Sequence, residues 1–150
     1  MRARQVVRVG AGLLFLAAML AFVLTSCPSN RDGMPGQLAS AKDETQSAAR
    51  SAALALQLWG QGRSTRALAC VQLSDARDEV VKAYQGIATL KAEDPVDLGR
   101  QALLTRTMTD LIGTLNDANA AVRALPGLPD PRILSRHLAD GVDALERDYR

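Results

Sequence analysis

Apolar residues recur every three or four positions through most of the chain after residue 37, which is the spacing of one buried helix face. The first such series comprises Leu38, Thr45, Ala49, Ala52, Leu56 and Trp59. Only Lys42 interrupts it. Gly60 and Gly62 follow the series and favour the end of a helix, and Ser64 can cap the next one. We therefore predict a first helix that ends within the segment "WGQGRST".

Three further series have the same spacing. The second comprises Ala69, Leu73, Ala76, Val80, Ala83, Ile87 and Leu90. The third comprises Leu104, Met108, Leu111, Leu115, Ala118, Val122 and Leu125, and the fourth Leu134, Leu138, Gly141, Leu145 and Tyr149. Asp94-Pro95 and Asp130-Pro131 each join a capping aspartate to a proline that suits a first helical turn. These pairs predict where the third and fourth helices begin.

Four helices joined by short loops pack most readily as antiparallel neighbours. No strand candidate longer than a few residues is present. Aromatic residues make up only 3% of the chain, so Ala, Leu and Val must form a thin core. We predict an all-α fold, an up-down-up-down four-helix bundle. The alternative is a three-helix bundle with a loosely packed fourth helix, because the fourth series is the weakest.

The first thirty residues have a different pattern. Arg2, Arg4 and Arg8 precede residues 9–24, an apolar run without charge or proline. Sixteen helical residues span about 24 Å, which is short of the bilayer core. A positive start, a short apolar run and small residues at its end are the layout of a secretory signal peptide.

The residues that end this run are Leu24-Thr25-Ser26-Cys27. They resemble the lipobox of bacterial lipoproteins, an aliphatic residue, a small residue, Ser, Gly or Ala, and then Cys. The resemblance implies that the Cys27 thiol receives a diacylglyceryl group and that the peptide is cut before Cys27. Two acyl chains would supply the two signals that stable membrane anchoring needs.

The predicted organisation is a lipoprotein signal peptide over residues 1–26, a lipidated Cys27 with a flexible linker over 27–36, and a helical bundle domain over 37–150. Two alternatives stay open. The apolar run can remain uncut as a membrane anchor, or it can be a plain signal peptide cut elsewhere. An Ala-x-Ala cleavage site near residue 30 is absent, which weighs against the second alternative.

The formal charge of +2 changes once the signal peptide is set aside. The remaining chain has 15 basic residues against 16 acidic ones, because three arginines lie in the first 26 residues. No basic stripe interleaved with aromatic residues is left, so nucleic-acid binding is not expected.

The residues that catalysis or metal binding would need are few. His137 is the only histidine, which excludes a di-iron site built on two Glu-x-x-His motifs, and no zinc spacing links it to Cys70. His137 and Asp140 are expected to be a surface pair. Cys70 is expected to be a small buried apolar residue, the alternative being an intermolecular disulfide. The segment "GQGRST", residues 60–65, lacks the lysine of a phosphate loop. We expect no enzyme activity, metal or cofactor.

Trp59, Arg63 and Arg66 should lie together near one end of the bundle. Trp and Arg are enriched at protein interfaces, so these three are the candidate partner contact. The alternative is that Trp59 closes the end of the bundle while the two arginines are merely solvated.

The segments "SAALALQLWGQGRST" and "SDARDEVVKAYQGIATL" resemble small Ala- and Arg-rich helical lipoproteins of actinobacterial cell envelopes in style. No residue of this chain is assigned a function from this resemblance. The expected function is a membrane-tethered, non-enzymatic binding or scaffold lipoprotein on the extracytoplasmic face of the cell membrane, with an envelope protein as partner. The alternative is a small-molecule or lipid carrier with its ligand between the helices.

Overall fold

The computed structural model describes residues 33–149, and this part of the chain contains helices and no strand. The helices are α1 (Met34–Gly60), α2 (Arg66–Ala88), α3 (Pro95–Val122) and α4 (Pro131–Asp148). The all-α prediction is confirmed. The predicted signal peptide and Cys27 lie outside the described residues.

The helices form the predicted four-helix bundle. Consecutive helices are neighbours, α4 also packs against α1, and α1 and α3 contact each other across the centre. Because α2 and α4 share no contact, α1 and α3 lie on the short diagonal of the bundle. The fourth helix is not loose, since it buries Leu134, Leu138, Val142 and Leu145.

Polar side chains fix α2 antiparallel to α3. The Gln101 amide donates to the carbonyl oxygens of Ile87 at 2.6 Å and Leu90 at 2.9 Å, where α2 ends and α3 begins. Towards the other end of the pair, the Asn119 amide donates to the Ser74 hydroxyl at 2.8 Å. The two Gln101 bonds supply donors to carbonyl groups at and just beyond the end of α2, where the helical ladder provides no further N–H groups.

Similar contacts fix α1 antiparallel to α4. The buried Ser135 hydroxyl donates to the Ala53 carbonyl oxygen at 3.1 Å. Nearer the start of α1, the Arg50 guanidinium pairs with the Glu146 carboxylate at 2.9 Å.

The helix boundaries follow local signals with two differences. α1 begins at Met34, so Met34, Pro35 and Gly36, which the sequence analysis assigned to the linker, lie in its first turn. Proline is compatible with that turn because its missing N–H has no helical partner there. Thr65 rather than Ser64 caps α2, its hydroxyl accepting from the Leu68 N–H at 3.2 Å.

The core follows the four predicted series closely. All but one member of each of the second and third series is buried. Leu125 was wrongly placed in the core: it is 55% exposed, because α3 ends at Val122. Val142 is fully buried although the fourth series omits it.

The bundle has two distinct ends. The entry end comprises the start of α1, residues 89–94 and Tyr149. Tyr149 there contacts Lys42 and Arg100, whose cationic groups lie 5.1 and 5.4 Å from the ring centroid. The far end comprises residues 59–68 and 122–136. None of the helices within residues 33–149 is long and apolar enough to cross a bilayer.

Candidate functional site

Trp59 and Arg63 are positioned by the way α1 ends. The Gly62 N–H donates to the Trp59 carbonyl and the Arg63 N–H donates to the Leu58 carbonyl, both at 2.9 Å. This pair of bonds is a Schellman motif, and Gly62 provides its left-handed residue with φ of 68°. The turn leaves Trp59 half-buried against the core and Arg63 exposed at the far end.

α3 ends in the same motif at the same end of the bundle. The Ala124 N–H donates to the Ala121 carbonyl at 2.9 Å, and the Leu125 N–H donates to the Ala120 carbonyl at 3.2 Å. Here the left-handed residue is Ala124, with φ of 63°. A Cβ makes this conformation unfavourable by about 1–2 kcal/mol, so the far end contains local backbone strain.

Replacing Ala124 by glycine should raise the free energy of unfolding by about 0.5–1 kcal/mol, since glycine adopts a positive φ without that steric cost. The matched control is Ala121→Gly inside the last turn of α3, which should lower stability by about 1 kcal/mol. Urea unfolding of both variants measures the two changes. Equal effects of the same sign would contradict the strain at Ala124.

The far end contains five exposed arginines, which come from its two segments of the chain. They are Arg63, Arg66, Arg123, Arg132 and Arg136. Asp130 is the only acidic residue in the far-end segments, and its carboxylate already caps α4 by accepting from the Arg132 N–H at 2.7 Å. Within residues 33–149, no ion pair neutralises any of the five guanidinium groups.

Two of these arginines lie where a positive charge is unfavourable. Arg66 and Arg132 occupy the first turns of α2 and α4, next to the positive ends of the helix dipoles. A cation at such a position costs about 0.3–1 kcal/mol of stability at an exposed site. The bundle itself therefore gains nothing from either charge at these positions.

Exposed aliphatic side chains lie among the arginines. Leu68, Leu125 and Ile133 are 50%, 55% and 39% exposed. Aromatic and guanidinium groups are enriched at protein interfaces. Trp59, Arg63 and Arg66 thus lie in the same far-end segments as these exposed aliphatic side chains.

An open groove of about 370 Å³ lies between α1 and α4 at the far end. Gln57 and Gln61 line it from α1 and the following turn, and Arg132 and Arg136 line it from α4. Leu56 lies beneath the groove and is 2% exposed, so it contributes almost no surface to it. The groove therefore presents mainly two cationic groups and two amides.

The remaining candidate residues, His137, Asp140 and Cys70, do not line this groove. His137 and Asp140 are both exposed on α4. Cys70 is half-buried with a free thiol, which is less burial than the sequence analysis expected. Within residues 33–149, no three His, Cys, Asp or Glu side chains are grouped to hold a metal ion.

Sequence reasoning missed Arg123, Arg132 and Arg136. The sequence could have identified them, because alternate loops of an up-down bundle lie at the same end. Residues 60–65 and 123–130 are therefore expected at one end of the bundle.

In comparisons with known proteins, the chain matches no family model, no curated protein and no solved structure at a significant level.

Proposed function

We propose that this protein is a non-enzymatic binding module, tethered through lipidated Cys27 to the extracytoplasmic face of the cell membrane. Its far end contacts an envelope protein. The observation that carries the binding role is the set of five unneutralised arginines interspersed with exposed aliphatic side chains at the end of the bundle opposite the start of α1.

The tether rests on the sequence before the bundle. A positive start, a short apolar run and the lipobox-like residues Leu24-Thr25-Ser26-Cys27 fit lipid attachment. The bundle begins at Met34, so only a short segment separates Cys27 from α1. A lipid on Cys27 would therefore tether the bundle to the membrane through a short segment.

A binding role suits the residues of the bundle better than catalysis does. His137 and Cys70 lie on different helices, with His137 exposed, and no contact joins them to an acid or base. The carrier alternative has less support, since the grooves that line the described helices are open to solvent. Ligand sites usually bury most of the ligand surface.

The experiment is photo-crosslinking in cells of the full chain. A photoreactive amino acid at Trp59 should give a discrete protein adduct, and the same amino acid at Asp75, an exposed residue on the side of α2, should not. Equal labelling from both positions, or no adduct from Trp59, would contradict a partner at the far end.

A further inference from the structure

We propose that two copies of this chain associate through their α2 helices, which pack antiparallel with Leu68 and Val71 at the centre of the contact. The inference goes beyond the proposed function, because its occupant is a second copy and not the envelope protein. Its basis is the order of exposed side chains along α2, which is basic, then apolar, then acidic.

The apolar part of this surface consists of Leu54, Leu68 and Val71, which are 54%, 50% and 56% exposed. Ser47 and Lys82 line one groove between α1 and α2. Leu54 follows Ser47 by seven residues and Val71 precedes Lys82 by eleven, so both lie on the sides of their helices that flank this groove. Leu54 is six residues before the end of α1 and Val71 is five residues after the start of α2, so the two are level. The three side chains therefore form one exposed apolar surface, a feature that marks interaction sites.

Charges of opposite sign lie on either side of these apolar residues along the chain. Arg63 and Arg66 come before them on α2, and Asp75 and Glu79 come after them. All four side chains are exposed, and within residues 33–149 no ion pair includes any of them. Arg66 and Asp75 are nine residues apart, about 13 Å along the helix, which is too far for a direct ion pair. Each copy therefore keeps two basic and two acidic groups that it cannot pair with each other.

A second α2 that runs in the opposite direction presents these charges in the complementary order. With Val71 of one copy against Val71 of the other, Arg66 is five residues before the centre and Asp75 four residues after it, so the two come level. Arg63 and Glu79, each eight residues from Val71, also come level. The two-fold axis repeats each contact, which gives four pairs of guanidinium and carboxylate around a shared apolar centre. A parallel arrangement would place like charges together, so the charges also fix the direction.

The other charges near this part of α2 are compatible with the same register. The Asp78 carboxylate accepts from the Arg77 guanidinium at 2.8 Å, so it is neutralised within its own copy. Lys82 lies eleven residues after Val71, about 16 Å along the helix, whereas α2 begins only five residues before Val71. Lys82 therefore lies beyond the start of the α2 helix of the second copy.

A second copy is the occupant that this order of charges selects. Any other partner would need acidic, apolar and basic groups in matching order and spacing, and α2 itself provides them when it runs in reverse. Arg66 lies in the first turn of α2, where its charge is unfavourable to a single copy, and a carboxylate of the second copy offsets that cost. Arg123, Arg132 and Arg136 lie outside α2 and remain for the envelope protein.

The test uses the full chain in cells with a photoreactive amino acid at Val71, the centre of the contact. We expect an adduct that contains two copies of the chain and no other protein. The same amino acid at Leu98, an apolar residue of α3 that is 47% exposed, should give no such adduct. Asp75 should also remain unlabelled, because a photoreactive residue there replaces the carboxylate that pairs with Arg66.

Charge reversal tests the pairing itself. Arg63→Glu/Arg66→Glu and Asp75→Arg/Glu79→Arg should each lower the yield of the Val71 adduct about tenfold, because each places like charges opposite one another. Cells that make both variants together should recover the adduct, built from one copy of each, since every acidic group then meets a basic one. Arg106→Glu, an exposed reversal on α3, should leave the yield within about twofold.

Recovery in the mixed cells also shows that both variants fold, so loss of folding cannot imitate the result. A Val71 adduct with a different protein, no adduct at Val71, a yield indifferent to the two reversals, or no recovery in the mixed cells would each overturn the inference. A Trp59 adduct with a protein other than this chain supports the proposed function in any of these cases, so the two proposals fail separately.

Discussion

Replacement of Leu115 by alanine is expected to lower the free energy of unfolding by about 3–4 kcal/mol. Leu115 is fully buried in α3, which like α1 contacts each of the other three helices. Many of the buried residues around this core are alanines, whose single methyl groups cannot move in to fill the space. The cavity should therefore remain open, and its cost adds to the lost transfer free energy of the leucine side chain.

Urea unfolding of the full chain in a non-ionic detergent measures this effect. Trp59 is the only tryptophan and lies in the bundle, so its fluorescence reports on the domain and not on the segment before it. The matched control is Leu125→Ala. Leu125 belongs to the same sequence series but is 55% exposed, and its loss should change stability by less than about 0.5 kcal/mol. Equal losses in the two variants would contradict the end of α3 at Val122.

Replacement of Cys27 by alanine is expected to abolish fatty-acid incorporation into the chain. The diacylglyceryl group is attached through a thioether, for which alanine has no acceptor atom. Metabolic labelling with an alkyne fatty acid measures incorporation, and the signal of the variant should fall to that of unlabelled cells. Fractionation alone is a weaker measurement, because the uncut apolar run over residues 9–24 would still hold the variant at the membrane.

Cys70→Ala is the control for that labelling. Cys70 is the other cysteine of the chain and lies half-buried on α2, where its carbonyl accepts from Asn119. The variant should keep the full label. Equal label on the parent and on Cys27→Ala, or loss of label from Cys70→Ala, would contradict attachment at Cys27.

The fold was predictable because its signals are local. Asp94 and Asp130 cap α3 and α4 as their sequence neighbourhood indicates, and Gly62 adopts the left-handed conformation that ends α1. The error at Leu125 has an equally local cause. Periodicity continued through that position, whereas the backbone reverses at Ala124, and alanine does not signal a left-handed residue as glycine does.

The site was predictable only in part. Trp59, Arg63 and Arg66 are close in sequence, so their place at one end followed from the end of α1. Arg132 and Arg136 are distant from them in sequence and reach the same end because α4 packs beside α1, as the predicted bundle implies. The groove itself depends on how the side chains of α1 and α4 pack at that end, which helical periodicity does not determine.

The central claim is that a lipid on Cys27 holds the bundle at the membrane. The most direct test is to purify the chain from membranes and measure the mass of its N-terminal peptide. The account predicts a peptide that begins at Cys27, lacks residues 1–26 and carries a diacylglyceryl group on the thiol. A peptide that still contains residues 1–26, or one that begins elsewhere with an unmodified Cys27, would contradict it.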